Sequence, residues 1–265
     1  MKKIILHIAI LLMAIVYKPI NAGISSDMFG HNINFSAGEK LTYKVNYNWG
    51  LLWVGAGEVS FEIFEEKLFN RDVFHVKGLG HTYVDYDWFF KVRDRYETYI
   101  DKKTLLPLKF IRHVREGNYK FDNEIIFKHY KNEAVGTYKT VEISKGVQDV
   151  LSAIYKTRTI DFNKYKKGDR IKMNLFLDNK VYPIHITYLG KEKVKTKLGK
   201  FNCIKFKPLL IEGTIFKGGD KMTVWASDDA NRIPIRVESP IVVGSIKVDL
   251  IDYKGLKHDL SAKIK

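Results

Sequence analysis

Residues 81–97 hold the highest density of side chains capable of chemistry. Six of them could contact a ligand: Asp85, Asp87, Trp88, Arg93, Arg95 and Glu97. In an extended chain Asp85 and Asp87 share one strand face, because alternate side chains point the same way. Paired carboxylates can serve general acid–base or glycosidic chemistry, and Trp88 beside them suits contact with a sugar. The alternative interpretation is an ion pair across a turn, in which one of the two aspartates faces one of the two arginines.

Other reactive side chains match no catalytic or metal-binding template. The spacing of His75, His81, Asp85 and Asp87 fits no metal site, so we predict neither a metal nor another cofactor. Cys203 lies in an apolar stretch, which indicates a buried, inert thiol. The sequence contains no nucleophile elbow, phosphate-binding loop, paired-cysteine site or dinucleotide fingerprint. We therefore predict no catalytic residue, and the sequence favours a protein that is not an enzyme.

An apolar run punctuated by glycines occupies residues 49–57 and contributes Trp49 and Trp53 as further candidate ligand contacts. One interpretation is a buried strand with a bulge at Gly55 or Gly57. The other is an apolar lip, which would suit a protein that handles lipid.

The elements that must position these residues are mainly strands. Apolar side chains alternate with polar ones along five segments, which indicates strands with one core face and one wetter face: 41–49, 59–63, 171–177, 182–188 and 246–250. Turn residues such as Gly38, Asp178–Asn179, Gly199, Gly218–Gly219 and Asp228–Asp229 punctuate them. The pattern predicts a mostly antiparallel sheet system.

One segment near the middle has helical periodicity. Its apolar residues Val147, Val150, Leu151, Ile154 and Tyr155 follow the spacing of an amphipathic helix. Basic residues near its end suit the negative pole of the helix dipole. Gln148–Asp149 begins the helix, either as a cap or as a polar pair lining a cleft.

The segments on either side of this helix look alike. Residues 104–109 (TLLPLK) correspond to 231–236 (NRIPIR), and Pro107 is as far from Pro234 as Gly117 is from Gly244. We predict a duplicated half-barrel or sandwich-like fold, with two curved antiparallel sheets joined by one central α-helix. The predicted divisions are a first β half at 23–145, a linking helix at 146–166 and a second β half at 167–265.

The first 22 residues predict export. A short basic start precedes an apolar run at 4–16, and residues 20–22 (INA) offer a cleavage site after Ala22. The apolar run is short for a membrane span, which takes roughly 20 residues; a membrane anchor is the alternative. No cysteine stands near the end of this run, at the position where a lipobox would place one, so we predict no lipid attachment there. The sequence thus predicts a periplasmic protein with no transmembrane segment after cleavage.

The net charge of +15 would suggest nucleic acid in a cytosolic protein. Because the chain is predicted to be exported, we do not expect a nucleic-acid partner. The lysines are spread along strands, which is typical of a solvated face. The alternative is attraction to anionic lipid, lipopolysaccharide or acidic glycan.

Four separated blocks together resemble a known family: 38–45 (GEKLTYKV), 148–155 (QDVLSAIY), 196–208 (TKLGKFNCIKFKP) and 225–234 (WASDDANRIP). They resemble the domain-of-unknown-function family numbered 3108, found in Gram-negative cell envelopes, over residues 35–256. That resemblance implies a secreted or periplasmic β-protein and supplies no catalytic residues. More loosely, the chain is similar to the half-barrels of outer-membrane lipoprotein carriers, which enclose an apolar cavity. It departs from them in its apparent duplication and single central helix.

The sequence therefore predicts a periplasmic, non-enzymatic protein that binds an apolar or amphipathic envelope ligand, such as a lipid, lipoprotein or glycolipid. The second hypothesis is a glycan-binding or glycan-active protein that uses Asp85, Asp87, Trp88 and Glu97. A third is a scaffold for outer-membrane assembly. An apolar cavity would favour the first hypothesis, and an open cleft with acidic and aromatic walls would favour the second.

Overall fold

The computed structural model describes residues 33–49, 52–137, 139–209, 221–241 and 244–264. The predicted signal segment, its cleavage site after Ala22 and the Gly218–Gly219 turn lie outside these residues. The strands are β1 Lys40–Trp49, β2 Leu52–Leu68, β3 Arg71–Thr82, β4 Arg93–Asp101, β5 Pro107–Glu116, β6 Tyr119–Lys128, β7 Glu133–Gly136, β8 Thr140–Glu142, β9 Arg170–Leu177, β10 Lys180–Thr196, β11 Gly199–Pro208, β12 Thr223–Ser227, β13 Pro234–Pro240, β14 Ser245–Lys254 and β15 Lys263–Ile264.

These strands form one large antiparallel sheet, in the order β8-β7-β6-β5-β4-β3-β2-β1-β14-β13-β12-β11-β10-β9, with β15 paired to β11. The prediction of a mostly β fold is confirmed. The two predicted sheets are continuous, because β1 pairs with β2 on one side and with β14 on the other. Among the described residues the hydrogen-bonded order ends at β8 and β9, so the sheet is not closed.

The sheet curves until its two ends approach each other. Arg112 on β5 lies 2.5 Å from Asp178 in the turn between β9 and β10. The rings of Phe127 on β6 and Phe176 on β9 meet edge to face, with centroids 5.5 Å apart. This curvature gives the sheet a concave face, on which the hydrophobic core lies.

The predicted turn at Asp178–Asn179 is present. It forms a two-residue hairpin in which both residues adopt positive φ, 46° and 59°, the conformation that Asn and Asp tolerate best after glycine.

The bulge predicted near Gly55 or Gly57 is also present. Val45 pairs with Gly57 and Asn46 pairs with Gly55, so Ala56 is the extra residue.

The described chain contains two α-helices: α1 Val84–Phe90 and α2 Val150–Arg158. The sequence predicted only the second. The prediction of an extended segment at Asp85–Asp87 is therefore wrong, since both residues lie in the first turn of α1. Carboxylates there are stabilised by the positive pole of the helix, and the helix connects β3 to β4. The segment 146–166 also contains a short 3-10 turn at Phe162–Lys164.

Helix α2 packs against the concave face of the sheet. Asp149 caps its start, since one carboxylate oxygen accepts hydrogen bonds from the amides of Leu151 and Ser152. The other oxygen accepts a 2.6 Å bond from the Thr98 hydroxyl on β4. Asp149 thus fixes the helix to the first half of the sheet, which confirms its role as a cap.

Arg158, at the end of α2, forms a buried ion pair with Glu39 just before β1. Its guanidinium donates to both carboxylate oxygens, at 2.5 and 2.7 Å. It also donates to the backbone carbonyls of Asn34 and Asn231. The side chains of Arg158 and Glu39 are both almost wholly inaccessible to solvent. The pair therefore joins the helix to segments from both ends of the chain.

Candidate functional site

A cavity of about 170 Å³ lies between α2 and the concave face of the sheet. The helix contributes Val150, Ala153, Ile154 and Thr157 to its wall. These residues follow the i, i+3, i+4, i+7 spacing, so they form one face of the helix. The amphipathic pattern that predicts α2 thus also positions one wall of the cavity.

The facing wall is formed by strands from both halves of the chain. Its apolar side chains are Leu41, Tyr43, Val59, Phe61, Met173, Ile184, Ile186, Phe206, Val224, Val237, Ile246 and Val248. Val224, Val237 and Val248 are cross-strand neighbours on β12, β13 and β14. The surface presented to a ligand is therefore almost entirely apolar.

Five side chains that border this apolar space carry polar groups: Tyr43, Tyr155, Thr157, Arg158 and Arg232. The Tyr43 hydroxyl is buried and has no hydrogen-bond partner within the described structure. Burial raises the Tyr43 pKa well above its usual value, so the hydroxyl remains a donor at neutral pH. Arg158 is already paired with Glu39, whereas Arg232 donates to the Arg158 carbonyl at 3.3 Å and lies 4.0 Å from Asp161.

The polar residues predicted around position 85 form an ion pair at the end of the sheet. The Arg93 guanidinium donates to both carboxylate oxygens of Asp87, at 3.0 and 2.6 Å, and the Thr82 hydroxyl donates to the same carboxylate. The bonds from Arg93 and then from Thr82 lower the Asp87 pKa. Asp87 is thus a paired carboxylate, and Asp85 is exposed on the same short helix.

Glu97 lies in a different cluster on the outer side of the sheet. Its carboxylate lies 2.7 Å from one ring nitrogen of His75 and 3.1 Å from the Arg95 guanidinium. The other ring nitrogen of His75 lies 2.7 Å from the Glu66 carboxylate. Burial disfavours the charged imidazole, but the hydrogen bonds that its ring nitrogens donate to Glu97 and Glu66 outweigh this effect and raise the His75 pKa. Glu97 is four residues from Arg93 along β4, or about 13 Å, so the structure does not bring it together with Asp87.

The predicted tryptophans lie at the same end of the sheet as α1. Trp53 is exposed at the start of β2, where the Lys247 ammonium lies 4.3 Å from its ring centroid. Trp88 is exposed on α1. Trp49 is the last residue of β1, and its side chain lies outside the described structure.

None of the seven predicted candidates with a described side chain lines the cavity. Sequence reasoning missed the cavity because its wall is assembled from elements that are distant along the chain. The sequence indicates the cavity only indirectly, through the core-facing positions of the alternating strands and the apolar face of α2. The prediction that Cys203 is buried is confirmed, and burial raises the pKa of its thiol to about 12.

A family profile described as "Protein of unknown function (DUF3108)" matches residues 42–251, which is most of the chain. The chain belongs to the DUF3108 family. No curated protein matches this DUF3108 chain in sequence.

Three solved structures are similar to the DUF3108 chain in fold. A β-barrel-like protein with the domain of unknown function DUF1849, from Brucella abortus, has a TM-score of 0.54 and 9% identity, covering 83% of this chain and 98% of its own. A DUF1089 family protein from Pseudomonas aeruginosa has a TM-score of 0.38 and 11% identity, covering 80% and 98%. A candidate lipoprotein from Parabacteroides distasonis has a TM-score of 0.39 and 13% identity, covering 84% and 98%.

The Brucella abortus structure supports the β-barrel-like fold and no more. Neither helix in the described part of the DUF3108 chain has the length and apolarity needed to cross a membrane.

Proposed function

We propose that this DUF3108 protein is a non-enzymatic periplasmic protein that binds an apolar or amphipathic envelope ligand, such as a lipid, lipoprotein or glycolipid. The cavity between α2 and the sheet carries the proposal, because its wall is almost wholly apolar. Ligand sites are commonly concave and apolar with a few placed polar groups. Here the Tyr43 hydroxyl is such a group, since it is buried without a partner and borders the cavity.

The size of the cavity limits what it encloses. Its volume of about 170 Å³ is similar to the ~150 Å³ of an apolar cavity that holds benzene. It is smaller than the roughly 300–1,000 Å³ of pockets that enclose a whole drug-sized ligand. The proposed occupant is therefore an aromatic ring or a short segment of an acyl chain, with the rest of a larger amphiphile outside.

The periplasmic location rests on the leader at residues 1–22, with its basic start, apolar run and cleavage site after Ala22. Cell fractionation followed by N-terminal sequencing tests it. A mature chain that begins at Gly23 in the periplasmic fraction is expected. A chain that keeps its first residues in the membrane fraction would overturn this part of the proposal.

Displacement of a fluorescent fatty-acid probe tests ligand binding. Val237 lies within the apolar wall, and Val84 is exposed on α1, so Val237→Glu and Val84→Glu make the same change inside and outside the cavity. We expect Val237→Glu to weaken probe binding by more than about tenfold, because a carboxylate would be desolvated against an apolar ligand. Val84→Glu should bind like the wild type.

Three results would contradict the proposal. The first is no probe binding by the wild type, together with no amphiphile found by lipidomics of protein purified from its native host. The second is equal weakening by both variants. The third is unchanged binding by a Val237→Glu protein whose circular dichroism shows the native fold.

The glycan hypothesis stays a prediction. Its favourable observation is that Trp88 and Asp85 are exposed on the same helix. Against it, Asp87 is held by Arg93 and Glu97 belongs to the His75 cluster. A glycan array probed with the wild type and with Asp87→Ala tests this hypothesis, which requires a signal that the substitution reduces. The scaffold hypothesis also stays a prediction, for crosslinking in cells to test.

A further inference from the structure

The net charge of the chain is concentrated on three neighbouring strands. Residues 164–207 contain 13 Lys and Arg and 3 Asp and Glu, so they carry +10 of the total charge of +15. Residues 23–163 and 208–265 carry only +1 each. The charged range contains β9, β10 and β11, which lie side by side at one end of the sheet. We call the Lys and Arg side chains of residues 164–207 the basic edge.

Few carboxylates neutralise the basic edge. Glu192 pairs with Lys205 at 2.6 Å, and Asp228 pairs with Lys191 at 2.9 Å. Of the two other carboxylates on these strands and turns, one pairs with Arg112 outside the basic edge and one is exposed. The remaining eleven basic side chains form no ion pair with a described carboxylate, and ten of the eleven are exposed. The positive charge is therefore available to a partner.

Part of the basic edge lies on the convex side of the sheet. Ile186 on β10 lines the cavity, so its neighbour Thr187 faces the convex side. Thr187 pairs with Arg170 on β9 and with Lys207 on β11. Residues directly opposite each other on paired strands share a face, so Arg170 and Lys207 lie on the convex side as well.

Another part of the basic edge lies on the other side of the sheet. Lys205 is two residues from Lys207 on β11, so it also faces the convex side, where it pairs with Glu192 on β10. Lys191 and Lys193 flank Glu192 along the strand, so they face the opposite way. The cations thus project from both sides of the same strands rather than from one flat surface.

This arrangement favours a flexible polyanion as the partner. A bilayer is flat and would contact only one side of the sheet. No large apolar side chain is exposed within residues 164–207, all of which the structure describes. Proteins use exposed aromatic rings at the bilayer surface and for stacking on the bases of single-stranded nucleic acids. The carboxylates of an acidic polysaccharide need only cations, and its chain can follow both sides.

We propose that the basic edge binds an acidic polysaccharide, whose carboxylates contact Lys and Arg side chains on both sides of β9–β11. One exposed ion pair contributes little, so binding depends on many such contacts along one chain. No side chain of the basic edge lines the cavity, so this inference does not depend on an apolar ligand.

Isothermal titration calorimetry with polygalacturonate tests the proposal. Each sugar unit of this polymer carries a carboxylate, and methyl esterification removes the charge without changing the backbone. We expect the wild type to bind polygalacturonate at low salt and to lose binding as salt is raised. The methyl-esterified polymer should not bind.

Charge reversals test the position of the site. Lys172 lies two residues from Arg170 on the convex side, whereas Lys193 lies on the other side, and both are exposed. Lys172→Glu and Lys193→Glu should each weaken binding, and the double variant should weaken it on the order of tenfold. Lys103 and Lys120 are exposed on the first half of the chain. The double variant Lys103→Glu/Lys120→Glu has the same net charge and should bind like the wild type.

Several results would overturn the proposal. They are an absence of binding to polygalacturonate, equal binding to the esterified polymer, equal weakening by the two double variants, and weakening by only one of Lys172→Glu and Lys193→Glu. Tighter binding to phosphatidylglycerol vesicles or to single-stranded DNA, at the same concentration of negative charge, would also overturn it. Circular dichroism checks that each variant is folded. Failure of the fatty-acid probe to bind would contradict the proposed function but leave this result unaffected.

Discussion

Arg158 shows how one side chain can connect distant parts of the chain. Besides Glu39 and two backbone carbonyls, its guanidinium lies over the rings of Phe35 and Tyr155, at 5.3 and 5.2 Å. Its own carbonyl accepts a 2.7 Å bond from the Asn34 amide. All of these groups are buried, so none can exchange its partner for water.

Arg158→Gln is expected to destabilise the fold by about 3–5 kcal/mol, because it leaves the Glu39 carboxylate buried without its counter-ion. The midpoint of urea unfolding measures the change. Arg170 is exposed at the start of β9, so Arg170→Gln serves as the control and should change stability little. The double variant Glu39→Gln/Arg158→Gln should be more stable than Arg158→Gln alone. Equal stability of the single and double variants would contradict this explanation.

At the scale of the element, α2 depends on Asp149. Burial raises the pKa of this carboxyl to about 6, although bonds from Thr98, Ser152 and Leu151 oppose the shift. Between about pH 4 and pH 6 the folded state therefore holds a proton that the unfolded state has lost. The free energy of unfolding consequently falls as pH rises through this window and stays lower above it.

Asp149→Asn is expected to remove this pH dependence, since an amide keeps an acceptor for the helix amides and carries no charge. The difference in unfolding free energy between wild type and variant should fall by about 2 kcal/mol between pH 4 and pH 6. Asp149→Ala should lose about 1 kcal/mol at pH 4 through loss of the cap. Urea unfolding across this pH range measures both changes. A difference curve that stays flat would contradict the assignment to Asp149.

The elements of the two halves also match in detail. The β4–β5 pair and the β12–β13 pair each have a register shift, at Tyr99/Ile100 and Trp225/Ala226. Leu105 and Arg232 each lie two residues before a proline, and both adopt positive φ, 54° and 48°. We propose that the halves at 23–145 and 167–265 arose by duplication. The shared bulges and turns support this origin, because such features are rarely placed at equivalent positions by chance.

The alternating strands, the hairpin turn at Asp178–Asn179 and helix α2 could be predicted because each depends on nearby residues. Helix α1 could not, because the alternation of residues 84–88 also fits a strand, and the reversal between β3 and β4 decides the outcome. The cavity could not be predicted either, since Tyr43, Ile184 and Val237 meet only after the sheet curves. Reactive side chains mark the region of α1 in the sequence, whereas the apolar side chains of a cavity wall cannot be distinguished there from those of the core.

At the scale of the whole molecule, the pairing of β1 with β14 makes the two halves one hydrogen-bonded sheet. The buried cluster around α2 also takes residues from both halves. A shared sheet and a shared core should unfold together.

We therefore expect one cooperative unfolding transition. Trp225 is buried on β12, so its fluorescence in a variant with the other three tryptophans replaced by phenylalanine reports on the second half. Its urea midpoint should equal that from far-ultraviolet circular dichroism, which reports on all strands. Two separate midpoints would show that the halves unfold independently.

The β1–β14 pairing also determines when β1 can gain its second partner strand. β1 emerges early in synthesis, whereas its partner lies at Ser245–Lys254, near the end of the chain. If the chain begins to fold while it is synthesised at about 5–20 residues per second, one edge of β1 waits roughly 10–40 s for that partner. An open strand edge is a template for pairing with another chain. The nascent protein therefore has a defined interval of vulnerability to aggregation, which ends only when its last long strand is complete.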